Sequence, residues 1–263
     1  MAARFKPRLI PTLIAAPLFL TLLGLGTWQM ERRDWKTALI ADMEARLALP
    51  PASLAELLPL GPAANYRPVY AVGIYRHDLE MHIQARTHEG RTGVQVVTPL
   101  QLTEERSAED TASGVRQAIE NVLVNRGWVP LGARNPALRG DGQISGEIVV
   151  TGLLRWPAAP GWFTPKNNPT KPGGGGRENG RGEWYWTEVP AMAEASGLAP
   201  MAPAVIEIGP NRTEPDALPI GGQTILSLPN NHLQYAITWY ALAAALLATY
   251  ILSQRRPASG RPE

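Results

Sequence analysis

LIPTLIAAPLFLTLLGLGTWQM, residues 9–30, carries no charged side chain, and at about 1.5 Å per residue a helix of that length crosses a hydrocarbon core of about 30 Å. The run reads as a transmembrane helix. A cleaved signal peptide would have a shorter apolar stretch before a small-x-small site, whereas this run ends in Trp28-Gln29-Met30. At the other end no charge occurs from Ala217 to Gln254, and YAITWYALAAALLATYIL, residues 235–252, is long enough to span a second time. Tyr235, Trp239 and Tyr240 at one end of it and Tyr250 at the other suit interfacial aromatic belts better than a buried core helix. The sequence therefore divides into an N-terminal segment 1–8, a first span 9–30, a central domain 31–232, a second span 233–252 and a tail 253–263.

Arg4, Lys6 and Arg8 precede the first span, and Arg255, Arg256 and Arg261 follow the second with only Glu263 against them. By the positive-inside rule both termini are expected in the cytoplasm. Setting those groups aside, the chain's 25 Lys/Arg and 23 Asp/Glu leave a slightly acidic middle, as expected of a translocated domain. Eight residues ahead of the first span leave no room for an Arg- and Ser-rich presequence. The expected setting is the lipid bilayer of a bacterial inner membrane, with the central domain in the periplasm.

Glycine and proline, 25 each in 263 residues, are too frequent for an all-helical bundle. The absence of cysteine excludes disulfides, Cys-based zinc and iron–sulfur sites and thiol catalysis. A net charge of +2 carries no sign of the clustered basic face that a nucleic-acid partner requires. Residues 31–49, ERRDWKTALIADMEARLAL, repeat apolar positions at helical spacing and should prolong the first span into water until Pro50-Pro51. Ser53-x-x-Glu56 has the pattern of a capping box. Strands are expected at 69–75, 79–86, 93–100, 121–129, 147–155, 205–208 and 224–228, spaced as in an antiparallel sandwich or small barrel with short helices. Glu104–Gly114 and Pro169–Gly182 read as surface insertions.

Signs of catalysis are thin. His77 and His82, five apart on a strand, would face opposite ways. There is no Gly-x-Ser-x-Gly and no Ser-x-x-Lys, and the carboxylate pairs fall in the polar insertion. No enzyme is expected. What stands out is PNNHLQYAITWY, residues 229–240, where the chain re-enters the membrane. Asn230 or Asn231 can cap a helix, His232 falls in its first turn, and Tyr235, Ala236 and Trp239 follow on one face. The positive end of the helix dipole favours a neutral imidazole, the form a haem iron or a copper ion requires. An interfacial histidine bonded to headgroups is the alternative, and on residue chemistry alone both stay open. Between the spans, Ala241 with Ala245, Ala244 with Ala248, and Gly24 offer small-residue packing points.

The ordered blocks WQMERRDWK (28–36), YRPVYAVGIY (66–75), ARTHEGRTG (85–93), VVTPL (96–100), VLVNRGWVP (122–130), GLLRWP (152–157), FTPKNNP (163–169), WYW (184–186) and NNHLQYAITWYALA (230–243) resemble the Surfeit-locus-one family of cytochrome c oxidase assembly factors. The resemblance implies a two-span protein whose outer domain helps insert haem a into oxidase subunit I, with haem A synthase as a further partner. It also implies that His232 ligates the haem iron.

Around His232, Trp28, Gln29, Tyr235 and Trp239 are candidate pocket residues, and Arg126 is a candidate for a haem propionate or for a partner inside its own domain. Trp28 as a plain belt residue is the competing reading. Gly127, Gly90 and Gly93 are expected at hairpin corners or a bulge. Two alternatives remain: a scaffold that stabilises an oxidase intermediate without cofactor, and a membrane-tethered hydrolase or lectin-like binder, which would need a polar cleft.

Overall fold

The computed structural model describes residues 4–5, 7–103, 119–169, 182–211, 214 and 217–256; Glu104–Gly114 and nearly all of Pro169–Gly182 lie outside them. In chain order the elements are β1 (Arg4–Phe5), α1 (Leu9–Leu47), β2 (Ala52–Ser53), α2 (Leu54–Leu57), β3 (Pro68–Tyr75), β4 (Met81–His88), β5 (Arg91–Leu102), β6 (Asn121–Pro130), β7 (Glu147–Arg155), α3 (Val189–Ser196), β8 (Met201–Ile208), α4 (His232–Gln254) and β9 (Arg255–Arg256). The chain forms two compact units, a helical one (residues 1–44 and 226–263) and a β unit (residues 45–225). Two terminal apolar helices thus flank a β-rich domain with short helices.

Both α1 and α4 are long and apolar enough to cross a membrane. Their apolar side chains are exposed: Leu9, Ile10, Leu13 and Leu20 on α1, and Ile237, Leu242 and Leu252 on α4. A core helix hides such residues, and lipid accepts them. At 39 residues α1 continues beyond any bilayer, as the spacing of residues 31–49 predicts.

The two helices run antiparallel. Thr12 Oγ1 lies 2.6 Å from Tyr250 Oη, and the Arg8 amide donates to buried Gln254 Oε1 at 2.9 Å. Such bonds satisfy polar groups that lipid cannot. The packing face differs from the expected one. Ala236 and Ala243, one heptad apart, are the buried alanines of α4, whereas Ala241, Ala244, Ala245 and Ala248 are exposed. The close approach is at Gly26, where a Cβ would stand 2.6 Å from the Tyr240 ring, while a Cβ at Gly24 would meet nothing. The bulky ring of Tyr240 finds its partner in the glycine that leaves room for it. Gly26→Leu should therefore cut bismaleimide cross-linking between Thr12→Cys and Tyr250→Cys severalfold, and Ala244→Leu should leave it unchanged. Equal cross-linking in both variants would refute this face.

In the β unit the strand order β3-β7-β8-β6-β5 closes on itself through Gly73↔Leu102 to Tyr75↔Leu100, giving a five-stranded barrel. β5 is long enough to do two things. Its first half forms a hairpin with β4, and its last residues seal the barrel against β3. Most pairings are antiparallel, but β6 lies parallel to β8. Inward-facing Val69, Ala71, Leu100, Val122, Val124, Val150, Leu154 and Ile206 fill the barrel, with Leu54 and Leu57 of α2 packed among them. The alternate residues of β6 and β8, Leu123 and Val205, face outward into a second cluster under α3 and Trp184. That is why β6 is buried on both faces.

The expected capping box is present. Ser53 Oγ accepts from the Glu56 amide, and Glu56 Oε2 accepts from the Ser53 amide. Two expectations need correction. Residues 224–228 form no strand, and the nearest pairing is a single bridge from Ile220 to Trp128. His77 sits on a 3-10 turn rather than on a strand with His82, so the opposite-face argument does not apply.

Candidate functional site

The segment entering α4 is stitched to α1 residue by residue. Lys36 Nζ donates to the Pro229 carbonyl at 2.5 Å, and Asn230 Nδ2 donates to Thr37 Oγ1 at 3.1 Å and to the Arg33 carbonyl at 3.4 Å. Asn231 occupies the N-cap position without a side-chain cap bond, so neither asparagine caps α4 in the way the sequence suggests. Gln29, Arg33 and Lys36 share one face of α1 at i, i+4 and i+7 spacing, and that face holds the start of α4 in place.

The result is a fixed imidazole. His232 Nδ1 lies 2.7 Å from Gln29 Oε1. An amide oxygen only accepts, so Nδ1 carries the proton, and in the neutral imidazole the lone pair is then on Nε2. Among the described residues nothing hydrogen-bonds Nε2. Trp28 and Tyr235 present rings that are 52% and 56% exposed, Trp239 is half-buried, and Ala236 is packed away. The structure thus joins two of the expected site residues directly, His232 and Gln29. Among the described residues no group of three His, Asp or Glu side chains could hold a bare metal ion.

Arg126 belongs to the β unit. Val96 pairs with Gly127 and Val97 with Asn125, so Arg126 is the extra residue of a bulge, and Gly127 takes φ of +118° beside it. Gly90 turns the β4–β5 hairpin at φ +75°, and at Gly93 a Cβ would stand 2.1 Å from the Val129 carbonyl. The bulge re-aims Arg126 onto Tyr75, its guanidinium 5.0 Å from the ring centroid. Its other partners are the Gly142 carbonyl and His77 Nδ1 at 3.4 Å.

Next to it lies a charged cluster that no sequence motif announces. Glu80, 3% exposed, takes Oε1 to Arg139 Nη2 and to His82 Nε2, the latter at 2.6 Å. Arg134 Nε donates to His82 Nδ1 at 3.2 Å, so the His82 proton is on Nε2, facing the carboxylate. Burial alone would raise the Glu80 pKa, but hydrogen bonds from His82 and Arg139 and the Arg139 charge hold it below the usual carboxylate range. Burial likewise lowers the pKa values of Arg126 and His77, and pushes the Tyr75 hydroxyl up to about 12. The bonded partners are separated by up to 59 residues, and the only local signal was a carboxylate inside the apolar run LEMHI at 79–83.

A family model described as the SURF1 family matches residues 16–244. Surfeit locus protein 1 of Homo sapiens is 36% identical over 244 residues, covering 86% of this chain and 71% of the human protein. The protein of the same name from Rattus norvegicus is 37% identical over 243 residues, 86% of this chain and 69% of its own length. A SURF1-like protein of Monosiga brevicollis is 34% identical over 247 residues, 89% of this chain and 83% of that protein. The matched region takes in most of both apolar helices and the whole barrel, so the chain belongs to the SURF1 family, a family of cytochrome c oxidase assembly factors.

Proposed function

We propose that this chain is a haem a chaperone of the bacterial inner membrane rather than an enzyme. Both termini lie in the cytoplasm, the barrel lies in the periplasm, and oxidase subunit I and haem A synthase are the partners. The observation that carries the reading is the His232 imidazole, whose Nδ1 is engaged by Gln29 while, among the described residues, nothing hydrogen-bonds Nε2, the nitrogen that bears the lone pair in the neutral ring. Metal-bound histidines have this arrangement, in which a hydrogen bond on the second nitrogen fixes the tautomer and raises ligand basicity. The surrounding residues suit a large, flat, amphipathic group. Trp28, Tyr235 and Trp239 offer ring faces, and Arg32, Arg33 and Lys36 follow Gln29 along α1 where carboxylates would meet water. When bound, haem a would supply an iron that a neutral imidazole can ligate. His232 would bind it, Gln29 would orient His232, and the aromatic rings would shield it. Arg126 lies in the β unit, and this reading does not depend on it.

The test is the optical spectrum of the full chain purified from cells that make haem A. A Soret band is expected at near-stoichiometric haem a, and Gln29→Leu should weaken binding by about 10-fold or more while leaving the protein inserted. Full chain purified without pigment from such cells would overturn the haem reading in favour of a scaffold without cofactor.

A further inference from the structure

The β unit contains a cleft of about 660 Å³ lined by β3, β7 and residues around 138–144, at 208–211 and 214, and around 217–221, a volume that suits a small ligand. Its lining divides by burial. Tyr75, Arg126 and Arg139 are buried, whereas Asp141 and Glu214 are exposed and solvated. Ile148, Val150, Ile208 and Leu218 supply apolar walls. The buried charges do not balance. Buried Arg126 and Arg139 and half-buried Arg134 gather around a single carboxylate among the described residues, Glu80, and both histidines there have Nδ1 turned to an arginine. His77 Nε2 is turned to the Ile144 carbonyl at 2.9 Å, which fixes its proton there.

Arg139, with 1% of its side chain exposed, has Nη1 buried without a partner among the described residues. Among the described residues Arg126 has no acid as a hydrogen-bond partner, its partners being the Gly142 carbonyl, the His77 imidazole and the Tyr75 hydroxyl. A buried guanidinium left without an anion is costly, and the open volume in front of Arg126 is where an anion would relieve it, whereas Arg139 already has Glu80.

We propose that this cleft binds the carboxylate of an apolar molecule, with Arg126 and the Tyr75 hydroxyl meeting the carboxylate and Ile148, Ile208 and Leu218 meeting the hydrocarbon. Asp141 and Glu214 stand at the exposed part of the lining, so the place that favours an anion is the buried end at Arg126. Because the Tyr75 hydroxyl stays protonated at any physiological pH, it remains a donor. Two sources carry this chemistry, a fatty acyl chain and a porphyrin propionate. The proposal does not depend on an iron ligand at His232.

The test uses the full chain in lipid nanodiscs, titrated calorimetrically with octanoate and with metal-free deuteroporphyrin, empty discs being subtracted. Metal-free porphyrin offers nothing for His232 to ligate, so failure here and failure of the haem reading are separable. Saturable octanoate binding is expected, absent with octanol. Arg126→Gln should weaken it by about 10-fold or more, the loss of a charge-assisted pair. Val149→Trp, at an exposed position of the lining, should block it sterically while Arg126 stays in place, so the test survives if Arg126→Gln fails to fold. Competition by deuteroporphyrin supports the cleft and assigns it to porphyrin carboxylates. Octanoate binding without that competition supports it and assigns it to acyl chains. No saturable binding of either, or equal octanoate binding in wild type and Val149→Trp, overturns it.

Discussion

His232→Ala should strip haem a from the purified chain while the two helices stay inserted and the barrel stays folded. The side chain is half-buried at the first turn of α4, and its recorded partner is Gln29, so little packing is lost with it. The loss of affinity should exceed the roughly 10- to 100-fold typical of removing a group behind a metal ligand. His232→Met should recover part of the pigment, with a higher reduction potential, because a thioether ligates haem and favours reduced iron. Oxidase made in such cells should keep its subunits and lose haem occupancy in subunit I. The same Soret band in His232→Ala as in wild type would remove the ligand assignment and give the scaffold reading the lead.

Glu80→Ala should be the most damaging single change in the β unit. It deletes the sole carboxylate of the buried cluster and leaves Arg139 without its charge partner at 4% exposure. Breaking a buried pair from one side costs about 3–5 kcal/mol, which lowers the melting temperature by roughly 6–20 °C for a unit of this size. The same group gives the protein an acid limit. A carboxyl whose pKa is depressed on folding contributes stability that is fully present above its unfolded value near 4.5 and is lost as the pH falls through the folded value. His77 acts earlier. Its folded pKa is lowered from 6.5, so below that pH the unfolded chain takes up the proton first and stability begins to fall. Melting temperature should therefore decline with acid in two stages, and Glu80→Gln should abolish the lower stage and keep the upper one. A single-stage decline unaffected by Glu80→Gln would refute the assignment.

Much of the architecture could be read from periodicity, because the burial that shapes each strand also writes its alternation. The 147–155 strand and the Ser53 capping box match their patterns residue for residue. Where local chemistry and tertiary context disagree, the sequence misleads. Pro203 within MAPAVIEI argues against a central strand, yet β8 begins at Met201 and runs through Pro203. Thr224–Leu228 has strand-forming residues but no neighbouring strand to pair with, and strand propensity without a partner builds nothing. At the site, adjacency to the membrane boundary was enough to pair Gln29 with His232, since antiparallel spans bring their flanks together. The Glu80 cluster escaped because its members come from separate stretches of chain, and only the closed barrel makes them neighbours.

The place of β8 in the barrel also sets the order in which this protein can be made. β3, β5, β6 and β7 are synthesised first, yet nothing bridges β6 to β7 until residues 201–208 arrive and pair with both. Until then the sheet is an open ribbon with two bare edges, and the parallel pairing with β6 closes a loop of more than seventy residues, a slow step by its contact order. The last strand arrives shortly before the second apolar helix. Barrel closure and completion of the membrane anchor are therefore nearly simultaneous events, and a chain interrupted anywhere before Met201 is left as a tethered template for edge-to-edge aggregation.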